Sequence, residues 1–130
     1  MQFLLSAISL IFFASTLSVS VQAAPIKNRL HIRDSLTGDG TFYTVGGSSC
    51  GGDYSNDDLV AAISIEWMGS GPKSSYCGKS INVKSEHGSV TLKIVDTCPG
   101  CKRGDVDMSR AAFQKIAKLN DGRIPISWSI

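Results

Sequence analysis

Thr91-Leu-Lys-Ile-Val-Asp-Thr-Cys-Pro-Gly-Cys-Lys-Arg-Gly-Asp-Val-Asp-Met-Ser109 begins as an apolar run, breaks at a Cys-Pro-Gly-Cys turn and re-emerges ahead of an amphipathic segment. On its upstream side Val90, Leu92 and Ile94 alternate with Thr91 and Lys93, the period of a strand with one buried face. Ile81 and Val83 alternate in the same way against Asn82 and Lys84, so the two runs read as a β-hairpin turning near His87-Gly88, with His87 as a turn residue. On the downstream side Ser109 is a good N-cap, and Ala112, Phe113, Ile116 and Leu119 share one face of a helix predicted over 109–119. Between these elements Asp96, Asp105, Asp107, Cys98 and Cys101 fall within twelve residues. That density suits a polysaccharide cleft, a metal site or a stapled structural loop.

The flanking sequence continues the β pattern. Thr41-Phe-Tyr-Thr-Val45 is rich in β-branched and aromatic residues and reads as the first strand, preceded by a turn signal at Gly38-Asp-Gly40. Gly46-Gly-Ser-Ser-Cys-Gly-Gly52 lets the backbone approach a ligand or another segment closely, but it lacks the lysine and following helix of a phosphate loop. Leu59–Met68 is the most apolar run of the domain, core in either case, yet too short for periodicity to choose strand or helix. The C-terminal Ile124-Pro-Ile-Ser-Trp-Ser-Ile130 is a strand with its isoleucines and Trp128 on one side, and Pro125 suggests an edge or a strand start. Five or six short strands with one helix before the last strand point to a mainly β fold, a small closed or nearly closed barrel.

Residues 1–23 have the apolar core and small-x-small ending of a secretory signal, with Val21-Gln-Ala23 as the cleavage site. Its apolar run is shorter than the roughly 20 residues a bilayer span needs, so no membrane anchor is expected. Residues 24–38 read as a flexible leader with a solvated His31, and 39–130 as one domain. About a hundred residues remain after the signal, enough for a modest core. The net charge of +2 carries no clustered basic face, which argues against a nucleic-acid partner. Four cysteines in an exported chain this small read as two disulfides, with three connectivities open.

Other uses of these residues fit less well. Zinc would call for a second Cys-x-x-Cys knuckle, and Asp105 with Asp107 lacks the further acidic ligands of a calcium loop, so no metal and no cofactor are expected. A redox role for Cys98 and Cys101 lacks the helix N-terminus that lowers a thiol pKa. Asp96 and Asp107 can each be read as a backbone acceptor or helix-end carboxylate, and Asp105 as a solvated loop residue. Among the aromatics, Tyr43 and Tyr54 are the candidates for stacking on sugar rings, whereas Trp67 reads as core.

Gly40-Thr-Phe-Tyr43, Cys50-Gly51, Val60-Ala-Ala-Ile63, Cys77-Gly-Lys-Ser-Ile-Asn-Val83, Val95-Asp-Thr-Cys-Pro-Gly-Cys101, Val106-Asp-Met-Ser109 and Gly122-Arg-Ile-Pro-Ile-Ser-Trp128 together resemble RlpA-like double-psi β-barrel proteins, such as fungal loosenins and other expansin-like or barwin-related proteins. The resemblance implies a single six-stranded double-psi barrel with one or two short helices, stapled by disulfides that relatives would pair as Cys50–Cys77 and Cys98–Cys101. It implies a polysaccharide groove containing Thr41, Tyr43, Asp96 and Asp107, where Asp107 matches the general acid of related endoglucanases. The first-strand general base of those hydrolases is replaced by Val45, so an acid without its partner is expected not to hydrolyse glycans. The aromatic residue often found after the first groove aspartate is replaced by Cys98.

A secreted, monomeric, non-hydrolytic wall-loosening protein acting on cellulose, chitin or peptidoglycan follows as the functional expectation. The alternative is a protein-binding module, a cysteine-protease inhibitor or host-directed effector, that uses loops Gly46–Asp53 and Gly69–Tyr76.

Overall fold

The computed structural model describes residues 17–23, 34–70 and 73–130. Most of the segment read as a signal and of the leader lies outside the described residues. The elements are β1 (Leu36–Phe42), β2 (Val60–Ser64), α1 (Ile65–Met68), β3 (Ser80–Ser85), β4 (Gly88–Cys98), β5 (Val106–Met108), α2 (Arg110–Gln114), a 3-10 turn at Leu119–Asp121 and β6 (Ile124–Ser129). The six strands close into one barrel in the order β1-β5-β2-β4-β3-β6. The pairs β1/β5 and β2/β4 are parallel and the other four are antiparallel. This is a double-psi β-barrel, and closure leaves none of these six strands an unpaired side along which another chain could add.

The first strand corrects the sequence reading at both ends. It begins at Leu36, inside the segment assigned to the leader, because Leu36 to Gly40 pair with β6 from Trp128 to Ile124, and it ends at Phe42 rather than Val45. Gly38 and Gly40 therefore make no turn. Gly38 meets the loop before β5 so closely that an added Cβ would lie 2.2 Å from the Gly104 carbonyl oxygen, and a Cβ on Gly104 would lie 2.0 Å from that of Thr37. Two glycines at one crossing let backbone pass backbone where a side chain has no room. Trp128 fastens the same crossing by donating its indole N–H to the Gly104 oxygen at 2.8 Å.

The barrel interior holds Ile63, Ile81, Val83, Leu92, Ile94, Val106, Met108 and Trp128, with Phe113 and Ile116 closing it from the α2 side. The Leu59–Met68 run is both things the sequence left open: strand to Ser64, then one helical turn whose Glu66 N–H is accepted by the Ser64 hydroxyl. It is not core throughout, since Leu59, Ile65 and Glu66 are exposed. The helix predicted over 109–119 is capped by Ser109 as expected but stops at Gln114. Ile116 and Leu119 still turn inward, carried there by the tighter turns that lead into β6.

Cys50 is bonded to Cys77 and Cys98 to Cys101. Among the described residues no helix is long and apolar enough to cross a membrane.

Candidate functional site

One row of side chains crosses four strands on the outer face of the barrel. Thr41 of β1 pairs with Asp107 of β5, Asp107 with Ala62 of β2, and Ala62 with Asp96 of β4. Directly paired residues point to the same side of a sheet, so Thr41, Asp107 and Asp96 share a face, with the small Ala62 as the floor between the two carboxylates. On β5 this follows from alternation, because Val106 and Met108 point inward around Asp107.

On β4 it does not. Val90, Leu92 and Ile94 are buried, and strict alternation would send Asp96 inward after them. A bulge between Ala61 and Ala62 pairs Ile94 with Ala61 but Asp96 with Ala62, leaving Val95 as the extra residue, also buried. One inserted residue reverses the phase and turns Asp96 outward.

The hydrogen bonds give the two carboxylates different surroundings. Thr41 donates its hydroxyl to Asp107 Oδ1 at 2.9 Å. Asp96 Oδ1 accepts the backbone N–H of Thr97 at 2.8 Å and that of Ser49 at 2.9 Å, so the glycine-rich loop closes on another chain segment. Cys50, next to Ser49, ties that loop to Cys77 and donates its N–H to the Val95 oxygen. Tyr43 continues β1 past its end by donating its N–H to the Met108 oxygen. The Tyr43 hydroxyl oxygen is buried without a hydrogen-bond partner.

Burial first, and then the charges of Asp96 and Asp107, push the Tyr43 phenol up to about 12. Burial also raises Asp107 above the ordinary carboxylate value; the Thr41 bond and the Arg123 charge pull it down, and Asp96 pushes it up. Both carboxylates therefore act on the same phenol, which brings Thr41, Tyr43, Asp96 and Asp107 together.

Tyr54 stands on the flank of this row. Its ring lies 5.8 Å from the Lys93 ammonium, and Lys93 pairs with Val60, two residues along β2 from Ala62. Val45 leaves the row altogether, with its N–H held by the Asn56 side chain at 2.9 Å. Asp107 is not a cap of α2, a role taken by Ser109.

Asp105 corrects another reading, for it is no solvated bystander. Its two oxygens accept the N–H groups of Asp39 and Lys102, each at 2.9 Å, and so clamp the loop that forms one wall of the site. Trp67 is half-buried against the core, with the Arg103 guanidinium 3.8 Å above its ring and its indole N–H donated to the Arg103 oxygen.

Beside the row opens a depression of about 320 Å³ whose lining includes Thr41, Asp107, Arg123, Lys102 and the Cys98–Cys101 disulfide. Arg123 carries no site signal in the sequence, where it stands only inside the Gly122–Trp128 motif. Its guanidinium binds Asp39 at 2.9 Å across a gap of 84 residues, which local patterning does not reveal. Among the described residues no three His, Cys, Asp or Glu side chains converge as a bound metal ion would require.

A family model described as lytic transglycolase, whose fold is the double-psi β-barrel, matches residues 35–128. The chain belongs to the RlpA-like double-psi β-barrel family. This RlpA-like chain is 31% identical over 121 residues to a papain inhibitor of Streptomyces mobaraensis, covering 88% of this chain and 85% of the inhibitor. It is 36% identical over 107 residues to an EG45-like domain containing protein of Citrus jambhiri, covering 71% and 79%. Among solved structures, the Streptomyces papain inhibitor superposes with a TM-score of 0.66 at 31% identity, over 73% of this chain and 92% of that one. An expansin of Clavibacter michiganensis, also solved as a variant in complex with cellohexaose, superposes with a TM-score of 0.64 at 28% identity. The RlpA-like chain is covered over 74% of its length in that match and spans 50% of the expansin.

Proposed function

We propose that this RlpA-like barrel is a secreted, non-hydrolytic, expansin-like protein that binds cell-wall polysaccharide along the Thr41–Asp107–Asp96 row and loosens the packing between glycan chains. The observation that carries this reading is the row itself: an open face with a half-buried acid, Asp107, whose pKa is raised, and no carboxylate from Val45, the position that the resemblance gives to the base and that lies off the row. An inverting glycosidase needs a second carboxylate placed to activate water on the far side of the bond, and a valine offers none. Affinity for a glycan survives that loss, because hydrogen bonds from Thr41 and the carboxylates act on the ground state.

The similarity to expansins supports a glycan ligand. Two disulfides and the signal-like N-terminus support secretion.

The test incubates the protein with cellulose, chitin and peptidoglycan and measures pull-down together with release of reducing ends. Binding to at least one polymer without sustained release is expected. Absence of binding to all three rejects the proposal, and sustained release replaces it with a hydrolase.

The similarity to a papain inhibitor across most of the chain favours a second reading, a protein-binding module that works through the loops joined by Cys50–Cys77. Papain inhibition that is the same in the wild type and in Asp107→Ala supports that reading, since those loops carry recognition without the groove carboxylates.

A further inference from the structure

The groove row is unevenly satisfied. Asp107 Oδ1 accepts from Thr41 and Asp96 Oδ1 from two backbone N–H groups, yet among the described hydrogen bonds nothing donates to the second oxygen of either carboxylate. The Tyr43 hydroxyl, near enough for both carboxylate charges to act on it, is buried and also unpartnered, so it donates to neither carboxylate.

The positive charges nearby do not fill the gap. Arg123 binds Asp39 and Lys102 lines the depression beside the row, and among the described hydrogen bonds neither donates to an open oxygen of Asp96 or Asp107. The aromatic rings near the row leave little open platform, for Tyr54 stands only on its flank with Lys93 5.8 Å from its ring. The position after Thr97 is Cys98, and the rings of Trp67 and Tyr76 are already faced by Arg103 at 3.8 Å and Lys79 at 4.7 Å. A neutral glycan gains most from stacking, whereas this row offers acceptors and negative charge.

Resting on the polysaccharide reading of this same site, we infer that the groove selects a glycan bearing free ammonium groups, a β-1,4-linked amino-sugar polymer that has lost its acetyl groups. A primary ammonium has three donors and a full charge, and it meets the open oxygens of Asp96 and Asp107 across the floor provided by Ala62. The attraction is local to the row. The chain as a whole carries a net charge of +2, which repels a polycation, so unspecific electrostatics cannot mimic the preference.

The experiment compares three hexamers with the same linkage, cellohexaose, fully acetylated chito-hexaose and its fully deacetylated form, by calorimetry at about pH 6, between the ordinary carboxylate and amine ranges. The deacetylated hexamer is expected to bind about tenfold more tightly than the other two, with the preference collapsing in about 0.5 M salt, where the Debye length is about 4 Å against about 30 Å at 0.01 M. Asp96→Asn and Asp107→Asn should each cut the preference to about twofold or less, whereas Lys84→Ala on the hairpin, away from the row, should leave all three affinities and the thermal midpoint close to the parent's.

Equal binding of all three hexamers overturns the ammonium inference and leaves the groove proposal standing. Binding of none overturns both. A lysine hexapeptide that competes as well as the deacetylated sugar also overturns the inference, because the site would then recognise amines without reading the glycan.

Discussion

Two outward faces of the same barrel carry polar residues, and they differ in how those residues are held. On the β3–β4 hairpin Ser80, Lys84, Ser89, Thr91 and Lys93 are exposed, each standing out from a strand whose alternate residues fill the core. On the groove row Thr41, Asp96 and Asp107 are half-buried, and three of the four strands that supply the row are far apart in sequence. The hairpin's side chains stand out into solvent. Those of the row shift one another's chemistry, because burial removes water and places two carboxylates against one phenol. A polar residue on a barrel gains a specific character when its neighbours desolvate it, and position on the outer surface alone does not supply that.

Deleting Val95 is the most severe way to break this contrast. It removes the bulge, restores strict alternation on β4 and drives Asp96 into the apolar interior, where an unpaired carboxylate costs several kcal/mol. Loss of cooperative folding, or destabilisation beyond about 4 kcal/mol in denaturant melts, is expected. A stable variant that still binds glycan would show that the bulge does not aim Asp96.

Thr41→Val keeps the shape but removes the donor to Asp107. It should cost about 1.5 kcal/mol and raise the Asp107 pKa further, since that bond holds it down, and a carboxyl NMR titration reads the shift.

Tyr43→Phe has the opposite sign. It removes a buried hydroxyl that has no partner, so a gain of about 1 kcal/mol is expected in denaturant melts, together with loss of the phenol that ionises near 12 in an ultraviolet titration.

Asp107→Asn sharpens the comparison through pH. Because the folded protein holds this proton more tightly than the unfolded chain does, the contribution is fully present below the ordinary carboxylate value. It is lost as pH rises through the raised folded value. The variant, which has no such loss, should gain thermal midpoint relative to the parent between acid and neutral pH; parallel pH profiles would refute the assigned shift. Lys84→Ala on the hairpin, by contrast, should stay within about 0.5 kcal/mol of the parent at any pH tested.

The sequence by itself determined the β-rich class, the β3–β4 hairpin, whose turn falls at Glu86-His87 one residue before the expected dipeptide, the Ser109 cap and most of the segments that form the core. Each of these rests on neighbours within a few residues: alternation, a capping hydroxyl, a turn dipeptide. The resemblance carried by short ordered motifs extended this to the family and its barrel.

Only the tertiary structure decided the rest. Gly38 and Gly40 look like a turn, yet they lie inside β1 because they pair with β6, where Gly104 of the loop before β5, Met108 and Ile126 leave no room for a side chain. Asp105 looks solvated, yet it clamps a loop through Asp39. Arg123 finds Asp39 from 84 residues away, and Asp96 faces the groove through one bulged residue. In each case the deciding partner is distant in the chain, and closure of the barrel is what brings it within reach.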